Sequence, residues 1–134
     1  MICVLDACAM IALLRGEPGD DVIWRYVSDS SVSSLAHAIN LCEVYYDFWR
    51  VGGQAAADSA ISDLKALGVI ERNDLDLPFW QEVGLHKATL KRISLADCFA
   101  LTLTRRAGGV LLTSDHHEFD PIAALGICQI IFIR

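Results

Sequence analysis

The sequence of 134 residues predicts an α/β fold in which helices cover both faces of a mainly parallel sheet. Short apolar segments of strand length alternate along the chain with longer segments that have helical spacing. The short segments are apolar at consecutive positions, which is typical of parallel strands that are covered on both faces. No repeat, linker or low-complexity stretch interrupts the alternation, so we expect residues 1–134 to form a single domain.

The predicted strands are short and rich in β-branched and other apolar residues. Glycines bound the two runs nearest the carboxyl terminus, which supports their assignment as strands. The clearest strands are residues 2–5, 110–113 and 128–133, and the weaker ones are residues 32–34 and 69–70.

Six segments have helical patterns, and several of them end at a glycine, the residue that most readily closes a helix. Such glycines stand at Gly16, at Gly52 and Gly53, and at Gly68. The predicted helices span residues 7–14, 20–27, 36–51, 54–67, 78–90 and 95–107.

The composition excludes several classes of protein. With 54% hydrophobic residues the chain is too apolar to be disordered. No apolar stretch reaches the about 20 residues that span a bilayer, and no basic segment precedes an apolar run as in a signal peptide. Five cysteines occur without a Cys-x-x-Cys motif, so we expect reduced, mostly buried thiols. Together these features predict a cytoplasmic protein.

Two aspartates follow predicted strands. Asp6 comes directly after residues 2–5, and Asp115 comes shortly after residues 110–113. Ligands of open α/β sheets bind beyond the carboxyl ends of the strands, so these two carboxylates are candidates for one shared site. Each of them also suits an ordinary structural role as a helix N-cap or turn residue.

Two further carboxylates lie on predicted helices. Asp97 interrupts an almost wholly apolar helix, where a charge needs a partner, a metal or an exposed first turn. Its spacing from Ser94 is also that of a helix-capping pair. Glu43 forms a polar stripe with Asn40, Asp47 and Arg50, and a solvated helix face is a competing explanation for that stripe.

Four carboxylates in one pocket repel one another unless a cation joins them. Oxygen ligands without nitrogen or sulfur favour Mg²⁺ or Mn²⁺ over zinc. One or two such ions can activate water and stabilise the leaving oxygen of a phosphodiester. The acidic positions are therefore compatible with metal-dependent phosphodiester hydrolysis.

Four short segments, in their order and spacing, resemble the PIN domain family, and in particular the toxin ribonucleases of VapBC-type toxin–antitoxin pairs. Each segment is short, but together they extend over nearly the whole chain. They are Val4-Leu5-Asp6-Ala7, Asn40-Leu41-Cys42-Glu43-Val44, Ser94-Leu95-Ala96-Asp97-Cys98-Phe99-Ala100 and Leu111-Leu112-Thr113-Ser114-Asp115.

The resemblance implies a PIN-like three-layer α/β/α sandwich with about five strands, and an endoribonuclease that depends on Mg²⁺, for which Mn²⁺ can substitute. Thr113 would orient a carboxylate or a water, with an ordinary strand threonine as the alternative. Cys8 departs from the family pattern, because many relatives have Ser or Thr beside the first aspartate. Carried over by position, the metal-binding and catalytic carboxylates are Asp6, Glu43, Asp97 and Asp115.

The same resemblance implies an RNA substrate, an antitoxin protein that covers the site, a homodimer and no contact with membranes. The net charge of −6 argues against phosphate contacts when it is taken alone. A metal in an acidic pocket reverses the local sign, however, and basic residues near the motifs can form a weak basic rim, with a solvated helix surface as the alternative. They are Lys87, Lys91 and Arg92 before Asp97, and Arg50 after Glu43. The aromatic segment 44–49, with Trp24 and Trp80, is a candidate interface, and core packing is the rival explanation.

Three other interpretations stay open at this point. The chain can be a catalytically silent PIN-like module that binds RNA or protein. It can be an aspartate-nucleophile phosphatase, although Cys8 stands where that class needs a second aspartate. The third is a zinc site formed by Cys8, Cys42, Cys98 and a histidine, although neighbouring helical residues point in different directions and should not share one pocket.

Overall fold

A five-stranded parallel sheet forms the centre of the protein in a computed structural model that describes residues 1–134. It consists of β1 (Ile2–Leu5), β2 (Ser33–His37), β3 (Val69–Arg72), β4 (Val110–Thr113) and β5 (Gln129–Phe132). The strands lie in the order β3-β2-β1-β4-β5. Val4 in the central strand pairs with Leu35 on one side and Leu111 on the other.

Six helices accompany the sheet: α1 (Ala7–Arg15), α2 (Asp20–Val27), α3 (Ala38–Ala66), α4 (Leu77–Thr89), α5 (Leu95–Ala107) and α6 (His116–Leu125). Gly53, with φ 79° and ψ −171°, divides α3 into two helical segments. This break falls where the two glycines predict it. None of the helices combines the length and the apolar character that crossing a membrane requires.

Alternate side chains of each strand point to opposite faces of the sheet and enter two separate cores. Cys3 and Leu5 of β1 pack with α1, α2 and α3 on one face. Val4 packs with α4, α5 and α6 on the other face. The predicted α/β fold with three layers and five parallel strands is therefore confirmed.

The strand order reverses between β1 and β4. From β1 the chain moves outward to β2 and β3, and it then crosses back to β4 and β5 on the other side of β1. In sheets of this kind, ligands bind beyond the carboxyl ends of the strands at the point of reversal. Asp6 and Asp115 follow the two strands that meet there.

Two elements differ from those predicted. Ala36 and His37 end β2, so α3 begins at Ala38 and not at residue 36. Ser33 and His37 are polar, so the apolar pattern that predicts a buried strand is interrupted at both ends of β2. Helix α6 is absent from the prediction because Pro121 lies inside it, and proline removes a helical hydrogen bond and interrupts the sequence signal.

A group of ion pairs fixes the connection between β3 and α4. Asp74 accepts hydrogen bonds from Nε and Nη2 of Arg72, both at 2.8 Å, and from Nη1 of Arg106 at 3.1 Å. Arg106 also binds Asp76 through two contacts of 2.6 and 2.7 Å. The carbonyl oxygen of Asp74 lies 2.9 Å from Nε2 of His37, the buried last residue of β2. These contacts attach the connection to β2 and to α5.

We expect Asp74→Asn to lower the free energy of unfolding at neutral pH by about 1 kcal/mol, because charged hydrogen bonds are lost. The hydrogen bonds from Arg72, and then those from Arg106, lower the pKa of Asp74 in the folded protein. Their stabilising effect is therefore present above the ordinary pKa of 3.8 and disappears as the pH falls through the lower folded-state pKa. Urea unfolding at neutral pH and at about pH 3 measures the difference.

Asp63→Asn is the matched control, because Asp63 is an exposed carboxylate of α3 without an ion-pair partner. This variant is expected to unfold like the wild type at both pH values. An Asp74→Asn variant that lost equal stability at both pH values would contradict the assignment.

Candidate metal centre

Three helices begin at the carboxyl ends of β1 and β4, and each brings a carboxylate there. We call this part of the sheet the acidic edge. Asp6 is the N-cap of α1 and accepts a hydrogen bond of 2.8 Å from the backbone nitrogen of Ala9. Asp115 is the N-cap of α6 and accepts one of 3.0 Å from the backbone nitrogen of Glu118. Asp97 lies in the first turn of α5. The structural roles that competed with a shared site are therefore present, and they are compatible with it.

Asp97, Asp115 and Glu118 have carboxylate oxygens within 4.8 Å of one another. We call these three residues the carboxylate cluster. Two of them belong to the predicted acidic set, whereas Glu118 does not. Glu118 also accepts a hydrogen bond of 3.2 Å from the backbone nitrogen of Ser94, so the beginning of α6 is attached to the beginning of α5.

Asp6 is completely buried at the end of β1. The hydroxyl of Thr113 donates to Oδ2 of Asp6 and accepts a hydrogen bond of 3.0 Å from the backbone nitrogen of Asp115. Burial raises the pKa of Asp6 to about 7, against the hydrogen bond from Thr113, and the charges of Asp115 and Glu43 contribute to the rise. Thr113 therefore links the carboxylate of Asp6 to the backbone of Asp115, whose side-chain charge raises the pKa of Asp6.

Asp97 has a pKa far above the usual range of an aspartate. Burial is the main cause, and the hydrogen bond that Asp97 shares with Glu118 is the next. The negative charges of Asp6, Glu118 and Glu43 raise the pKa further. Without a cation, the cluster therefore favours a proton on Asp97 over a full set of negative charges.

Glu43 lies in the second turn of α3, outside the carboxylate cluster. The fully buried side chain of Asn40 donates to Oε1 of Glu43 at 3.3 Å and to the carbonyl oxygen of Ala96 at 3.1 Å. Burial raises the pKa of Glu43, and the charge of Glu118 adds to that rise. The solvated-face interpretation of this stripe is thus wrong for Asn40, which holds Glu43 against the beginning of α5.

The PIN domain model matches residues 3–125, which include every residue of the acidic edge. This chain belongs to the PIN domain family. A comparison with curated protein sequences gives no match.

Solved structures share this PIN fold over nearly their whole length. VapBC-1 from nontypeable Haemophilus influenzae matches with a TM-score of 0.76 and 21% identity over 99% of this chain and 98% of that one. VapBC2 from Rickettsia felis, bound to a DNA fragment from its promoter, matches with a TM-score of 0.75 and 12% identity over 98% of both chains. VapC20 from Mycobacterium tuberculosis, a Sarcin-Ricin loop cleaving toxin, matches with a TM-score of 0.69 and 15% identity over 89% and 94% of the two chains. At these identities the likeness establishes the fold.

The carboxylate cluster of the PIN domain suits a hard divalent cation. Its donors are all oxygen atoms, which favours Mg²⁺ or Mn²⁺. Burial and the neighbouring negative charges raise the pKa values of Asp6 and Asp97, and a bound cation would favour their ionised forms. The group with metal-binding geometry contains no cysteine, and Cys98 is buried in the core whereas Cys42 is exposed. The zinc-site interpretation is therefore wrong.

Cys8 lies beside the acidic edge, on the first turn of α1. Loss of solvent around its sulfur, followed by the charges of Asp6, Asp97, Asp115 and Glu43, raises the pKa of its thiol to about 12. The thiol is consequently neutral at physiological pH. It adds neither a charge nor a hydroxyl to the pocket.

Glu118 is the member of the site that sequence reasoning missed. Its signal is the spacing Asp115-x-x-Glu118, an N-cap followed three residues later by an acidic residue, which often marks the first turn of a helix. Read with that rule, residues 116–118 begin a helix at the end of β4, and Glu118 faces the same edge as Asp115.

We expect Thr113→Val to lower the free energy of unfolding by about 1–3 kcal/mol in the presence of EDTA. The substitution keeps the shape of the side chain but leaves the buried carboxylate of Asp6 and the backbone nitrogen of Asp115 without a shared partner. Denaturant unfolding measures the loss. Thr113→Ser is the control, because it retains the hydroxyl and removes only a methyl group. Equal stability of the valine variant and the wild type would show that the hydroxyl link has no energetic role.

Proposed function

We propose that this PIN domain is a metal-dependent endoribonuclease and the toxin of a toxin–antitoxin pair. The observation that carries the proposal is the carboxylate cluster, which lies where the strand order reverses, with buried Asp6 beside it. Membership of the PIN family and the fold shared with a toxin that cleaves the Sarcin-Ricin loop support it.

In this proposal Asp6, Asp97 and Asp115 hold the principal Mg²⁺ or Mn²⁺ ion, and Glu118 and Glu43 complete its surroundings directly or through water. When bound, the ion supplies Lewis-acid chemistry, that is, activation of water and stabilisation of charge on a phosphodiester. Its positive charge also permits the carboxylates to stay ionised together.

The chain itself orients the carboxylates. The N-terminal backbone of α1 and α6 fixes one oxygen each of Asp6 and Asp115, and the hydroxyl of Thr113 connects these two residues. Asn40 holds Glu43 near α5. Ordered carboxylates of this kind need little rearrangement when a substrate phosphate arrives, which is how preorganised sites lower activation barriers.

Metal-dependent cleavage of RNA is the first expectation. The antitoxin-free protein should cut RNA with Mg²⁺ or Mn²⁺ and not with EDTA. Asp97→Asn and Asp115→Asn should each lower the rate by more than about 100-fold, because even substitutions outside the first ligand shell reach that level. Gel analysis of total cellular RNA measures the rate, and mapping the ends of the products identifies the substrate.

Asp120→Asn provides the matched control. Asp120 lies on α6 like Glu118, but its carboxylate is exposed and binds His116. This variant should cleave at the wild-type rate.

Metal binding can be followed independently of activity. An ion at a concentration of 100 times its dissociation constant raises the free energy of unfolding by about 2.7 kcal/mol. Metal-induced stabilisation without cleavage of any RNA would favour a catalytically silent binding module instead.

An antitoxin partner and a homodimer complete the proposal, together with a cytoplasmic location, where both RNA and the antitoxin would be available. The solved structures of the same fold include VapBC complexes from several bacteria. Tyr46 and Trp49 of the predicted interface segment stay more than 40% exposed, as do Trp24 and Trp80, whereas Val44 is buried in the core. Exposed aromatic side chains of this kind are common in protein interfaces.

Inhibition by the antitoxin is a separate expectation. Adding the cognate antitoxin at an equimolar ratio should abolish RNA cleavage, because the antitoxin covers the acidic edge. The same mixture should elute as one complex in size-exclusion chromatography. If the complex formed while cleavage continued at the free-enzyme rate, the toxin assignment would lose its support and the nuclease assignment would not.

A further inference from the structure

The positive charges of this acidic chain are mostly neutralised within the protein. Seven of the eleven Lys and Arg side chains form ion pairs with carboxylates. Since the net charge is −6, few cations are left for an external partner. The paired residues are Arg15, Arg25, Lys65, Arg72, Arg105, Arg106 and Arg134.

Two of the four remaining cations also have partners in the protein. Lys87 donates a hydrogen bond of 2.9 Å to the carbonyl oxygen of Ile93, and the guanidinium of Arg50 lies 4.7 Å from the ring centre of Tyr46. Lys91 and Arg92 form no ion pair, hydrogen bond or aromatic contact, and both are exposed. Lys91 and Arg92 are therefore two adjacent cations whose side chains have no partner within the protein.

Lys91 and Arg92 line an open groove of about 310 Å³. Its other walls include Leu90 and, on α6, Pro121 and Leu125, so accessible aliphatic surface lies beside the two cations. This combination matches a nucleotide, whose phosphate binds Lys and Arg and whose base packs on apolar surface or on a guanidinium plane.

Glu118 joins the groove to the acidic edge. It lines the groove, and its carboxylate is also a member of the carboxylate cluster. A phosphodiester held at the cluster would therefore have its neighbouring nucleotide at the mouth of the groove. The groove is thus contiguous with the carboxylate cluster through Glu118.

We propose that this groove binds the RNA nucleotide adjacent to the cleaved phosphodiester, with its phosphate on Lys91 and Arg92 and its base on the aliphatic wall. The inference rests on the proposed ribonuclease function. Charge complementarity selects the occupant, because a polyanion gains from the two unpaired cations. An antitoxin segment is the competing occupant, and the experiment below distinguishes the two.

The test compares Lys91→Gln/Arg92→Gln with Arg25→Gln/Lys65→Gln, a control that removes two exposed charges already paired with Asp21 and Glu71. Fluorescence anisotropy with a labelled single-stranded RNA of random sequence gives Kd at several salt concentrations. Asp97→Asn in every protein prevents cleavage during the measurement. We expect the groove variant to bind roughly tenfold more weakly, and its salt slope to fall by roughly 0.7, the contribution of the one phosphate that both cations would hold.

RNA cleavage is then measured with the wild type, the groove variant and the control variant, all of which retain Asp97. The groove variant should have a raised KM with a nearly unchanged kcat, and Leu125→Ala should change the preferred bases beside the cut. If the wild type cleaves RNA but the groove variant has the same Kd, salt slope and KM as the control variant, the groove proposal alone is overturned. If the groove variant binds RNA normally but no longer forms the antitoxin complex in size-exclusion chromatography, the groove binds a peptide and the proposal is overturned. A wild type that neither binds nor cleaves RNA would overturn both proposals.

Discussion

The parallel pairing of β1 with β4 is the constraint on which the acidic edge depends. It places the carboxyl ends of two strands side by side, and Asp6 and Asp115 follow those ends. Burial of Asp6 and Asp97, together with the proximity of like charges, disfavours their ionised forms and raises their pKa values. Backbone nitrogens at the beginnings of α1, α5 and α6 donate hydrogen bonds to the carboxylates of Asp6, Glu118 and Asp115, and the hydroxyl of Thr113 also donates to Asp6. These contacts hold the acidic residues in place.

Three of the carboxylates at this edge have structural roles in addition to the metal-binding role proposed for them. Asp6 and Asp115 cap helices, and Glu118 connects the first turns of α5 and α6. An amide substitution keeps most of these hydrogen bonds while it removes the charge, whereas alanine removes both. Amide variants therefore separate the electrostatic contribution of a residue from its contribution to helix initiation. The same duality explains why capping and metal binding predict the same residues from the sequence.

The sequence was sufficient for the parts of the fold that depend on local pattern. Apolar runs predicted β1, β4 and β5, and strand ends predicted the positions of Asp6 and Asp115. The end of β2 was not predictable in this way, because His37 is polar and its burial involves a stacked contact with Phe79 and a tilted one with Phe99. Glu118 was missed together with α6, whose signal Pro121 interrupts. The groove beside Lys91 forms between residues 89–93 and residues 118–125, so no local sequence pattern predicts it.

The hydrogen bond from Thr113 to Asp6 joins positions 107 residues apart. The acidic edge therefore cannot assemble until β4 and the first turn of α6 have been synthesised, because Asp115 and Glu118 come so late in the chain. Chains emerge from the ribosome with the amino terminus first. The carboxylate cluster is therefore incomplete while most of the chain is being translated. In the proposed ribonuclease, the order of synthesis would itself protect nearby RNA until the chain is almost complete.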